Sequence, residues 1–241
     1  MNRSFPILLL LGGAVGCRLA SAQGPIACSL DPNQFQPKAR AEGLAELVGD
    51  VLINCTGGPA TSAGAAIPAY DMTLTFNAKV TSRIMGTDKV AGWSEALVLL
   101  DEPIVGVQYA CEQPNGVCTG TEPVSGDYYG DGSAANPGPN RNVFQGAVGA
   151  GNTLVFKSIP VDPLNVPVGT LSEIRFRFTN IRLDATSLPA GTTDLKMTSM
   201  SITGPAGTIP VTIPDGSNVL ATAQASLTAT VRDAANANVS S

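Results

Sequence analysis

The chain has 241 residues and no histidine. That absence removes the Ser-His-Asp triad, the Cys-His pair and His-ligated metals in their usual forms. Charge is also scarce: 14% of residues are Asp, Glu, Lys or Arg, and the net charge is −5. So sparse and acidic a chain is a poor partner for nucleic acid or an anionic membrane. Aromatics make up only 5%, fewer than a sugar-cleaving cleft usually carries. No apolar run reaches the roughly 20 residues of a membrane-spanning helix. No glycine-rich phosphate loop with a lysine occurs, and nothing repeats at a fixed period.

What is present begins with an export signature. Arg3 supplies a positive start, Ile7 to Leu11 run on through Gly12, Gly13, Ala14 and Val15 as an apolar stretch, and Ala20-Ser21-Ala22 offers small residues for cleavage. Residues 1–22 therefore read as a signal peptide. A lipoprotein box at Ala14-Val15-Gly16-Cys17, with Cys17 lipidated, is the weaker alternative, because its first position is a poor match. The expected location is extracellular or at the cell surface. Roughly 220 residues remain, a length that one β domain can hold.

Four cysteines follow the leader: Cys28, Cys55, Cys111 and Cys118. Four cysteines allow three pairings. Pro114-Asn115-Gly116 is a turn signal that folds Cys111 back on Cys118, which leaves Cys28 for Cys55. Zinc is disfavoured because the spacings match no zinc pattern and histidine is missing.

Residues 23–43 read as an N-terminal extension, with a helical turn or two possible from Ala39 to Leu47, interrupted by Gly43. Leu47 to Asn54 reads as the first strand of a domain spanning 44–232. Met72, Leu74 and Phe76 alternate with polar neighbours, giving a strand with one buried face. Glu95 to Leu100 predicts a central strand buried on both faces, and Ile104 to Ala110 and Thr153 to Ile159 give further strands. Ile174, Phe176 and Phe178 alternate with Arg175 and Arg177, then the phase slips past Asn180 to Ile181 and Leu183; a second slip separates Leu195 and Met197 from Met200 and Ile202. Such slips predict β-bulges. Ile209, Val211 and Ile213, broken by Pro210, predict an edge strand. Val219, Ala221, Ala223, Ala225, Leu227, Ala229 and Val231 share one face of a long last strand, whose small residues require a close neighbour. A tail, 233–241, follows. The fold class is all-β: a single antiparallel β-sandwich of about nine or ten strands, immunoglobulin-like or jelly-roll-like.

Two segments resemble known sequences. Glu42-Gly43-Leu44-Ala45-Glu46-Leu47-Val48-Gly49-Asp50-Val51-Leu52-Ile53-Asn54-Cys55-Thr56-Gly57-Gly58 resembles the opening of a group of uncharacterised secreted proteins from acidobacteria. Ile174-Arg175-Phe176-Arg177-Phe178-Thr179-Asn180-Ile181-Arg182 is similar to a second segment of that group. The resemblance covers about a tenth of the chain and implies bacterial export and a β fold; it carries over no functional residue.

Candidate sites are few. The Gly- and Pro-rich loop 111–142 is long for a compact domain. Within it Asp127 and Asp131, with Asn136 nearby, form a possible calcium loop, and Tyr128 and Tyr129 a possible sugar or protein contact. Asp101, Glu102, Glu112 and Asp127 are the acids that a glycosidase would draw on; solvated loop carboxylates are the plainer account. Arg175, Arg177 and Arg182 suit an acidic ligand or, more simply, cross-strand carboxylates. The expected role is a secreted, non-enzymatic structural protein: a cell-surface, matrix or fibre subunit, with the last strand a candidate for donation to a neighbouring copy. The expected partners are the chain itself or a surface polysaccharide, and no cofactor is expected apart from calcium. The alternatives are a polysaccharide-binding module built on loop 111–142 and a carboxylate-dependent glycoside hydrolase.

Overall fold

The computed structural model describes residues 24–85, 92–101, 106, 108–113, 115–121, 140–162 and 173–226. These hold fourteen strands: β1 (Ala27–Leu30), β2 (Lys38–Arg40), β3 (Glu46–Leu47), β4 (Val51–Thr56), β5 (Ala69–Phe76), β6 (Trp93–Leu100), β7 (Val143–Val148), β8 (Thr153–Pro160), β9 (Glu173–Thr179), β10 (Arg182–Leu183), β11 (Asp194–Gly204), β12 (Gly207–Ile209), β13 (Val211–Thr212) and β14 (Val219–Gln224). One 3-10 turn spans Ala185–Ser187. The chain is all-β, and among the described residues no helix is long and apolar enough to cross a membrane.

The alternation in the sequence becomes the inside and outside of a sheet. In β5, Tyr70, Met72, Leu74 and Phe76 are buried while Asp71, Thr73 and Thr75 stay half-buried on the other face. In β9, Ile174, Phe176 and Phe178 point in and Arg175 and Arg177 point out. The Phe156 and Phe178 rings meet edge to face with centroids 5.0 Å apart. Burying each such ring contributes on the order of 2–3 kcal/mol.

Hydrogen bonding runs through one sheet in the order β13-β1-β4-β9-β6-β7-β8-β5-β11-β14-β2, with β12 on β11 and with β3 and β10 forming a separate ribbon. Phe156 and Phe178 lie on β8 and β9, which β6 and β7 separate along this path, so their contact shows the sheet curling until its inner faces meet. The curl is tied at its ends. β12 pairs with β11, and β13, beyond the single residue Pro210, pairs with β1. Pro210 has no N–H to give, but its carbonyl accepts from Cys28 N at 2.9 Å.

The expected single antiparallel sandwich therefore gives way to one curled, mixed sheet, with more strands than nine or ten. The mixing comes from two parallel pairs, β1 with β13 and β14 with β2. Both join the N-terminal segment to the C-terminal one, so no local pattern announces them. The described part of the segment expected as an N-terminal extension supplies β1 and β2. No helical turn forms at Ala39–Leu47, where β2, a turn and β3 stand instead. The expected first strand divides about Gly49, whose N–H donates to the Leu220 carbonyl at 2.9 Å. A Cβ there would run into the Phe35 carbonyl oxygen, so only glycine admits this approach.

β6 is central, as expected, but only one of its faces is fully buried; Leu97 and Leu99 remain half-buried on the other. Both phase slips are present. Asn180 takes a left-handed φ of 57°, ending β9 and turning Arg182 and Leu183 onto β3, while β11 shifts register between Met197 and Ser199. The disulfides pair as expected, Cys28 with Cys55 and Cys111 with Cys118. Cys28 sits directly opposite Cys55 in the β1·β4 ladder. Gly116, at φ 67°, lies flat on the buried Trp93 indole and lets the second disulfide loop close over β6.

Candidate functional site

The outer face of β9 carries Arg175 and Arg177, β10 carries Arg182, and strand register decides their partners. Arg175 stands opposite Asn54 and donates to its Oδ1 at 3.0 Å, with Glu173 at 3.6 Å. Arg177 lies 3.4 Å from Asp50. Arg182, carried past the Asn180 break, donates from Nε to Glu95 at 2.8 Å and from its terminal nitrogen to the Ala45 carbonyl at 3.3 Å. Arg182 thus meets a cross-strand carboxylate as expected, whereas Arg175 meets a cross-strand amide and a carboxylate of its own strand, and Arg177 a carboxylate just before β4.

Two hollows open beside these arginines. One, of about 410 Å³, is bounded by Ala45, Thr81, Arg83, Glu95 and Arg182. Burial pushes the Glu95 carboxyl up, but hydrogen bonds from the Arg83 N–H and Arg182, with the charges of both arginines, hold it below the usual carboxylate range. Glu46, in β3, is likewise held low, first by the hydrogen bond from the Arg40 side chain and then by the Arg40 N–H. The other hollow, of about 420 Å³, is lined by Gln34, Phe35, Pro37, Leu47, Asp50 and Arg177 among others, and Phe35 is 81% exposed. Leu47 and Arg182 are direct partners in the β3·β10 ribbon, so their side chains share a face and the hollows adjoin across that pair.

Of the acids named for glycosidase chemistry, Asp101 and Glu112 are described. The Asp101 carboxylate accepts from the Arg175 N–H at 2.8 Å at the end of β6, and Glu112 is exposed in the second disulfide loop. Glu102 and Asp127 lie outside the described residues. So do Asp131, Asn136, Tyr128 and Tyr129, and with them the calcium loop and the tyrosine patch. Among the described residues no group of three metal-binding side chains is found. The base of loop 111–142 is described and firmly built. Asn140 is buried and holds Thr121 at both N–H and carbonyl, at 2.8 and 2.9 Å, while buried Asn142 accepts from Tyr109 N at 2.7 Å.

Of the assembly-strand residues, Val219, Ala221 and Ala223 lie in β14, which is hydrogen-bonded to β11 on one side and β2 on the other. The close neighbour demanded by its alanines is β2, with buried Ala39 opposite Ala223. Ala225 is exposed beyond the strand, and Leu227, Ala229 and Val231 lie outside the described residues. The free edge of β2 is guarded: the Glu46 carboxylate accepts from Arg40 N at 3.0 Å and Gly43 N donates to the Arg40 carbonyl at 3.0 Å. The other end, β13, has two residues and is set between Pro210 and Pro214. Short, charged or proline-flanked edges resist strand addition.

Arg83 and Phe35 were not singled out from sequence. Both sit in segments without alternation, and only the β6 pairing that sets Glu95 beside Arg83, and the approach of Gly49 to Phe35, give them a place. No protein-family model matches the chain, and no curated protein matches it in sequence.

Proposed function

We propose that the chain is an exported, non-enzymatic structural protein of a bacterial cell surface or extracellular matrix. The observation that carries this reading is how its charges are used. Glu46, Glu95, Asp50, Asp71 and Asp194 each sit against an arginine or lysine of the same chain. Among the described residues, Glu46 and Glu95 are the carboxyls whose acidity is shifted, and both are held ionised, which suits structural pairs better than the proton donor of a glycosidase. The disulfides suit an oxidising exterior, the leader at 1–22 supplies the route, and the resemblance at 42–58 and 174–182 supplies the bacterial setting.

A self-contained unit fits better than one completed by a donated strand, because β14 already has partners on both sides and both ends of the sheet path are guarded. Association would then use side-chain surfaces, with further copies or a surface polysaccharide as partners. Antibody-labelled electron microscopy of producing cells tests the reading. Label on ordered surface or matrix material is expected. Label confined to dispersed monomer in the medium, or turnover of any substrate in a broad polysaccharide panel, would overturn it.

A further inference from the structure

We propose that the hollow between Arg83 and Arg182 binds carboxylate groups of an acidic polysaccharide. The two arginines are used unequally. Arg182 donates to Glu95 at 2.8 Å and to the Ala45 carbonyl at 3.3 Å, which fixes its guanidinium. Arg83 gives Glu95 its backbone N–H at 3.1 Å, but its guanidinium comes no nearer than 4.0 Å and its side chain is 72% exposed. Among the described residues that line the hollow, one carboxylate between two guanidiniums leaves one positive charge, and it sits at the rim on Arg83.

That remainder suits a monoanion. A planar guanidinium presents paired N–H donors that match a carboxylate in bidentate fashion. The hollow, about 410 Å³, falls within the range of roughly 300–1,000 Å³ in which small ligands are held. A polymer fits better than a single sugar acid because the second hollow, on the far side of the Leu47–Arg182 pair, offers the exposed Phe35 ring; its own arginine, Arg177, is balanced by Asp50. An extended chain of uronate residues would meet the Arg83 cation in one hollow and, in the other, an apolar ring able to lie against a sugar face. The net charge of −5 opposes long-range attraction of such a polymer, so affinity must come from contact and fall with salt.

The test is affinity electrophoresis of the oxidised full chain through gels containing polygalacturonate or its fully methyl-esterified, uncharged form. Arg83→Gln is compared with Arg141→Gln, which makes the same charge change at an exposed arginine lining a different hollow, beside Cys118. The acid polymer should retard the wild type and the ester should not. Arg83→Gln should bind at least about ten-fold more weakly, the loss of one charge-assisted contact, while Arg141→Gln stays within about two-fold of wild type and both variants keep its thermal melt. The proposal is overturned if the wild type is not retarded, if the ester retards it equally, if Arg83→Gln binds like wild type, or if Arg141→Gln loses as much. Such a failure would leave the structural role standing, since that role rests on location and assembly.

Discussion

Replacing Cys28 and Cys55 together by alanine removes the clip between β1 and β4. The two cysteines are 27 residues apart in sequence, and for a closed loop of that size the chain-entropy model gives about 3.5 kcal/mol. In a chain of this length that amounts to roughly 7–14 °C in melting temperature. The loss should not become complete unfolding, because the β1·β4 ladder from Ala27 to Leu30 and the Cys28 N–H bond to Pro210 remain. Removing the Cys111–Cys118 bridge, with a separation of 7, should cost less, about 2.4 kcal/mol by the same model. Urea unfolding of both double-alanine variants in non-reducing buffer measures the difference. A Cys28/Cys55 variant within about 1 kcal/mol of wild type, or a larger loss from the Cys111/Cys118 pair, would refute the view that the first bridge holds β1 in the sheet.

Other consequences are as direct. Gly49→Ala places a methyl group against the Phe35 carbonyl and close to that of Leu220; a loss of about 1–3 kcal/mol is expected, and an unchanged urea midpoint would show that the approach is not close. Glu95 has a depressed folded pKa, so its stabilising effect is present above the unfolded value near 4.3 and is lost as pH falls through the folded one. Between about pH 5 and 3, wild-type stability should therefore fall more steeply than that of Glu95→Gln, and parallel curves would contradict the assignment. Truncation after Asn218 removes β14 with buried Leu220, Ala221 and Ala223. It should abolish cooperative unfolding seen by circular dichroism, whereas a folded, soluble product would mean that β14 is dispensable to its own sheet.

The parts of this fold that a sequence can declare are those set by neighbours along the chain. Alternation at Met72–Phe76 and Ile174–Phe178 named inner faces, the slips at Asn180 and after Met197 named the breaks, and the turn at Asn115-Gly116 pointed to the second disulfide. What stayed hidden depends on partners far away in sequence. β2 is three residues of mixed polarity, and it is a strand only because β14 lies alongside it. Gly49 looked like one residue of a continuous strand, yet the backbones of Phe35 and Leu220 make it a break. The side-chain hollows were equally hidden. Arg182 was in view as part of a row, but its tie to Glu95 comes from the turn at Asn180, and Arg83 joins it through the backbone pairing that begins β6.

The central claim is that this is an exported protein stapled in an oxidising exterior, and one mass spectrum tests it. Producing cells are separated into cytosol, envelope and medium, free thiols are alkylated without reduction, and the intact chain is weighed in each fraction. The account predicts a chain outside the cytosol that begins at Gln23 and carries no alkyl label, since Cys28, Cys55, Cys111 and Cys118 are all bridged. A chain in the cytosol that begins at Met1 with its cysteines labelled would contradict it.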